Sequence, residues 1–152
     1  MAETKIAETE QPREAPARFE VFEVRPELLA AGKKTTPLAA SDILSAYVQV
    51  AQHGGENYLH HHAGEDQIFL VLQGEATFYT EGNRVAAVLH RNEGMLMPRR
   101  TKYWYECTSD ENLVIMRFLA RAENDEQGII RHSENMRESI VPRPIDGKRF
   151  GD

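Results

Sequence analysis

The stretch Gly54-Gly55-Glu56-Asn57-Tyr58-Leu59-His60-His61-His62-Ala63-Gly64-Glu65-Asp66-Gln67-Ile68-Phe69-Leu70-Val71-Leu72-Gln73-Gly74 decides the fold. Side chains at i and i+2 of an extended strand share a face, so His60 and His62 converge while His61 turns away. Two imidazoles at that spacing can grip one metal ion from a single strand. Gln67 brings a neutral amide to the point where a carboxylate would be expected to complete such a site. The following run, Gln67 to Leu72, is apolar on both faces, whereas a strand with one face in water alternates. A second sheet or a partner subunit must cover its other side.

Working outward, β-like runs at Ile43 to Ala51, Asn57 to His62, Gln67 to Leu72, Ala76 to Thr80, Arg84 to Leu89, Gly94 to Pro98, Tyr103 to Thr108 and Leu113 to Ala120 are separated by short turn-forming segments. Such spacing without long helices specifies an all-β antiparallel sandwich or barrel and excludes a doubly wound α/β fold. Upstream, Phe19, Val21 and Val24 predict a short strand ending at Pro26, and Pro26 to Ala31 one or two helical turns stopped by Gly32. Residues 1–18, rich in Ala, Glu and Pro, read as a flexible tail, residues 19–120 as the barrel domain, and residues 121–152 as a C-terminal arm lying over the barrel or its neighbour.

The chain has 152 residues and a formal charge of −6, enough length for one core and the wrong sign for nucleic acid. The basic runs Arg99 to Lys102 and Arg143 to Arg149 read as solvated surface, with help in holding an anionic substrate as the alternative for Arg99 and Arg100. One cysteine, Cys107, permits no internal disulfide and reads as a small core residue. The sequence has no apolar run of signal-peptide or membrane-span length, and a cytoplasmic protein is expected. A homodimer is expected because small barrels need protected edges.

From Gly54, five residues lead to His60, one more to His62, four to Gln67 and six to Gly74. This spacing resembles the first motif of the cupin superfamily, with Gln67 in place of its glutamate. The second motif would run Asn92, Pro98, Arg100, Tyr103, Cys107, and only Pro98 agrees with the family pattern. The resemblance spans roughly residues 42 to 120. It implies a jelly-roll β-barrel of two antiparallel sheets holding one divalent metal in its mouth, Fe(II) in the first place and Mn, Ni or Zn otherwise. Carried over residue by residue, the ligands would be His60, His62, Gln67 and Tyr103.

A facial set of two imidazoles and a carboxylate suits Fe(II) oxygenases, and a neutral glutamine leaves the metal more positive. Tyr103 is either a ligand or acid/base group beside the metal, or an aromatic filling the barrel mouth. His53 and Asp66 are lesser ligand candidates, Asp66 having the wrong strand parity. His90 and His132 read as surface residues. Phe69, Phe78 and Met97 alternate as core and could also line a substrate pocket. Arg117 is a carboxylate clamp if it faces inward and a surface charge if outward. The expected activity is that of a metal-dependent cupin acting on a small carboxylate or enolisable carbonyl, of dioxygenase type first. A lyase or isomerase using Tyr103, and a non-catalytic small-molecule binder, are the alternatives.

Overall fold

A computed structural model describes residues 17–122, 128–133 and 136–152. Most of the predicted tail, residues 1–16, lies outside the described residues. Eleven strands are described: β1 (Glu27–Ala40), β2 (Leu44–Gln52), β3 (His60–His62), β4 (Glu65–Gln73), β5 (Ala76–Thr80), β6 (Arg84–Leu89), β7 (Gly94–Met97), β8 (Trp104–Cys107), β9 (Leu113–Arg121), β10 (Ile129–Arg131) and β11 (Arg143–Arg149). They form a six-stranded sheet in the order β11-β1-β2-β9-β4-β7, a three-stranded sheet β6-β5-β8 and a β10-β3 pair, with antiparallel pairing throughout. The bridge from His60 to Tyr103 joins β3 to the residue just before β8 and so ties the smaller elements into a second wall.

The first long strand overturns one expectation. Pro26 to Ala31 makes no helical turns; β1 begins at Glu27 and runs through Gly32 to Ala40, paired along most of its length with β2. Pairing with β2 and β11 on its two sides outweighs the weak helix propensity of Leu-Leu-Ala-Ala, because burial against the sheet decides such short segments. Nor is Phe19 to Val24 a strand; these residues join no ladder among the described residues.

Parity along the strands explains the doubly apolar β4. Phe69 and Val71 point between the walls, into a core with Phe78, Tyr103, Tyr105, Leu113 and Ile115. Leu70 and Leu72 point to the outer face of the large sheet, where they join Leu29, Val48, Val50, Val114 and Met116. The same chain therefore covers part of that face itself, through Val24, Leu28, Leu38 and Phe150.

Residues beyond 121 return to the barrel in two places, β10 alongside β3 and β11 along β1. Between them Arg137 lays its guanidinium 3.2 Å from the Trp104 ring centroid, and Trp104 stacks on Tyr79 at 4.0 Å. Two glycines permit close chain crossings. A Cβ on Gly55 would meet Glu106 Cα at 2.6 Å, and Gly74, at φ +79°, would press one against Asn112 O at 2.7 Å.

Candidate functional site

Two sheets facing each other leave polar side chains at one end of the barrel, all of inward parity. His60 and His62 come from β3, Gln67 from β4, Arg117 from β9, Lys33 from β1, and Tyr103 from the bend before β8. Glu56 comes from the loop before β3, held there because Gly55 lets the chain lie against β8 and Glu56 N donate to Tyr105 O at 2.9 Å. His60, His62, Gln67 and Tyr103 are buried.

Arg117 faces inward and organises the group. Its Nε donates to Gln67 Oε1 at 2.6 Å and its Nη2 to His62 Nε2 at 3.0 Å. Because a guanidinium only donates, His62 Nε2 must be an acceptor, which places the imidazole proton on Nδ1, 3.3 Å from Glu65 Oε2. Burial, then the neighbouring Arg117 charge, hold the His62 pKa down to about 3, so this ring is neutral at pH 7. The Tyr103 hydroxyl lies 3.4 Å from both His62 Nε2 and Gln67 Oε1, at the long limit for a hydrogen bond. Burial, followed by the Glu56 charge, raises the phenol pKa, so Tyr103 stays protonated.

His60 sits against acceptors on both sides. Its Nδ1 is 3.3 Å from Tyr58 O and its Nε2 3.1 Å from Glu56 Oε2. A neutral imidazole supplies one proton to these two contacts, so only one of them is a hydrogen bond at a time. Burial lowers the His60 pKa while Glu56 raises it. Glu56 Oε1 is buried with no hydrogen-bond partner among the described residues, and Lys33 Nζ is 3.9 Å from Oε2. Burial lowers the Lys33 pKa, opposed by Glu56. On their outer side Lys33 and Glu56 line a cavity of about 370 Å³ with Asn57, Tyr58, Ser139 and Ile140.

Among the described residues no group of three or more His, Cys, Asp or Glu side chains is arranged to hold a metal ion. Chemistry explains this better than counting does. Two of the expected donor atoms, His62 Nε2 and Gln67 Oε1, are already satisfied by the Arg117 guanidinium. Glu56 and Glu65 offset the charges of Lys33 and Arg117, but neither releases those two donor atoms from the guanidinium. The donor set as it stands does not fit a resident divalent metal.

The remaining sequence candidates separate cleanly. Phe69 and Phe78 have no accessible surface and, with Met97, form a closed floor; the Tyr103 ring packs 5.8 Å from Phe69 and 4.4 Å from His60. Tyr103 is thus both a packed aromatic and a site hydroxyl. Asp66 faces away, as its parity requires, and accepts from Arg99 N at 2.8 Å. His53 is exposed, outside the group. His61 turns outward to His132, ring nitrogens 2.8 Å apart, and His90 is exposed between Glu75 and Glu93. Cys107 is buried beside Gln52. The sequence reading did not single out Glu56 or Lys33. Lys33 alternates with Thr35 and Pro37 on the inward face of β1, a signal hidden when that strand is not recognised.

The sequence profile described as a cupin domain matches residues 46–119. Residues 46–119 are a cupin domain. YdbB of Bacillus subtilis (strain 168), an uncharacterized protein, is 32% identical over 69 residues, 45% of this chain and 60% of that one. The chain thus spans less than two thirds of this relative's length. An uncharacterized double-stranded β-helix protein of Klebsiella pneumoniae superposes with a TM-score of 0.62 at 16% identity, covering 77% of this chain and 100% of that one. Pac13 of Streptomyces, a nucleoside dehydratase, superposes with a TM-score of 0.56 at 15% identity, covering 76% and 90%. At these identities the two structures share the fold alone. No helix among the described residues is long and apolar enough to cross a membrane.

Proposed function

We propose that this cupin is a lyase or isomerase that seats a small organic carboxylate on Arg117 and moves a proton with Glu56 and His60, without a resident metal. The observation that carries the reading is the position of Arg117. Its Nε and Nη2 lock it to Gln67 and His62, while Nη1 donates to no described residue. The edge formed by Nη1 and the second Nη2 hydrogen is a fork that matches a carboxylate. Lys33 and Arg117 offset Glu56 and Glu65, so the empty mouth holds no surplus negative charge to repel an anion.

In the proposed reaction the substrate carboxylate takes the free guanidinium edge, and a carbon acid beside a carbonyl lies toward Glu56. The C–H bond breaks, its proton passes to Glu56 Oε1, and its electrons move onto the carbonyl oxygen as an enolate. The Tyr103 hydroxyl, loosely held by its protein partners, donates to that oxygen. Glu56, now carrying that proton, returns it to a neighbouring carbon or to a β-leaving group, while His60 Nε2, 3.1 Å from Oε2, holds the carboxyl in place. Such general acid–base assistance contributes typically 10² to 10⁴-fold. The oxygenase chemistry expected of an Fe(II) centre forms no part of this proposal, since the donors it needs are held by Arg117. Pac13 supports the class only to the extent that one barrel of this fold performs a dehydration.

The test uses chelator-treated protein in D₂O with a panel of small oxo- and hydroxycarboxylates, followed by NMR for deuterium entering the substrate. Exchange into at least one member, lost in Glu56→Gln while that compound still binds, is the expected result. Exchange that returns only on adding a metal would overturn the reading, and binding of a carboxylate with no exchange or turnover would leave a binding protein in place of an enzyme.

A further inference from the structure

Lys33 takes no part in the hydrogen bonds that Arg117 makes. Its side chain, 22% exposed, reaches the cavity of about 370 Å³ that it lines with Glu56, Asn57, Tyr58, Ser139 and Ile140. The returning C-terminal chain forms one wall of this space. Gly32 lets that chain approach β1, since a Cβ there would meet Pro142 Cα at 2.7 Å, and Asn57 Nδ2 fastens it by donating to Ser139 Oγ at 2.9 Å.

Two other lysines rest on carboxylates. Lys34 Nζ donates to Glu27 Oε2 at 2.8 Å, and Lys102 Nζ lies 3.2 Å from Glu81 Oε1. Lys33 Nζ makes no hydrogen bond among the described residues; Glu56 Oε2 is 3.9 Å away and the Tyr105 ring centroid 5.3 Å. Burial holds its pKa below the ordinary lysine value; Glu56 opposes this and the Arg117 charge adds to it. An amine that is desolvated and close to another cation carries a free lone pair more often than a solvated lysine does, which is what a nucleophilic lysine needs.

We infer that Lys33 is a nucleophile that captures a small hydroxylated aldehyde from this cavity as an imine. The amide of Asn57 and the hydroxyls of Tyr58 and Ser139 among the lining residues suit hydroxyl substituents on the ligand. In the reaction the Lys33 ammonium cedes a proton to Glu56, directly or through one water, and the freed lone pair attacks the aldehyde carbon. The C–N bond forms, the carbonyl π electrons move to oxygen, and a proton shifts from nitrogen to that oxygen to give the neutral carbinolamine. Glu56 then returns its proton to the carbinolamine hydroxyl, the C–O bond breaks, and water leaves. The product is an iminium beside the Glu56 carboxylate, with the charge unchanged. This chemistry needs nothing of the carboxylate seat on Arg117, so the two stand or fall separately.

Glyceraldehyde and cyanoborohydride, added to the full chain at neutral pH, trap such an imine as a stable secondary amine, and peptide mass spectrometry follows the adducts over time. Lys33 should be labelled about tenfold faster than Lys34 and Lys102. Ser139→Trp, at an exposed position on the cavity wall, should remove most of that advantage and leave the Lys34 rate and the melting temperature unchanged. Equal labelling of the three lysines, or a Lys33 preference that Ser139→Trp does not reduce, would overturn the inference.

Discussion

Arg117 Nε lies 2.6 Å from Gln67 Oε1, a contact between a cation and the residue that replaces the first motif's glutamate. A glutamate here would form an ion pair with Arg117 and cancel its charge. The amide accepts the hydrogen bond without neutralising the guanidinium, so the arginine remains an anion receptor. The neutral Gln67 and the inward Arg117 are two halves of one arrangement.

Arg117→Lys keeps the charge and loses the fork. Affinity for the bound carboxylate, measured by titration calorimetry, should fall about 10- to 100-fold, the equivalent of a charge-assisted hydrogen bond worth roughly 1.5–3 kcal/mol. Unchanged affinity would show that the anion sits elsewhere.

Gln67→Glu should weaken the same carboxylate by a comparable factor, because a second anion then competes for Arg117 across the 2.6 Å contact. Tighter binding of the carboxylate by this variant would contradict the pairing described above.

The barrel and half of its site are legible in the sequence because both follow strand parity. Alternation places His60 and His62 together, turns His61 and Asp66 away, and aims Phe69 and Val71 inward. Arg117 has inward parity too, but its value depends on Gln67 standing across from β9, a pairing between residues 50 positions apart. Glu56 was hidden for a different reason. It lies in a loop without periodicity and is brought beside His60 by the close crossing of Gly55 over β8. Pro26 to Ala31 was misread because an isolated Leu-Ala run carries helix propensity, and only its two strand partners reveal a sheet.

Tyr103→Phe removes a hydroxyl whose two protein contacts are both 3.4 Å and keeps the ring that packs on His60 and Phe69. Stability by urea unfolding should change by less than about 1 kcal/mol, whereas turnover should fall with little change in KM. Undiminished turnover in the variant would reduce Tyr103 to a packing residue.

Stability should decline as pH falls below 6.5. The His62 pKa is held to about 3 in the folded chain, against an ordinary value of 6.5. Above 6.5 the ring is neutral in both states. Between 6.5 and 3 the unfolded chain takes up a proton that the native ring refuses, so this residue costs on the order of a few kcal/mol across that window. His60, also shifted down, adds to it with the same sign. Urea midpoints measured from pH 7.5 to 5 should fall in the wild type and fall less in His62→Gln; a profile the two proteins share would remove His62 as a cause.

Arg117, a cation of the chain itself, holds His62 Nε2 and Gln67 Oε1, two of the donors that a cupin metal would use. Metal analysis of protein purified without a polyhistidine tag, coupled to carboxylate titration before and after chelation, tests it most directly. The expected result is no stoichiometric ion, and carboxylate binding that chelation leaves intact. One equivalent of metal per chain, lost in His60→Ala and His62→Ala together with carboxylate binding, would contradict it.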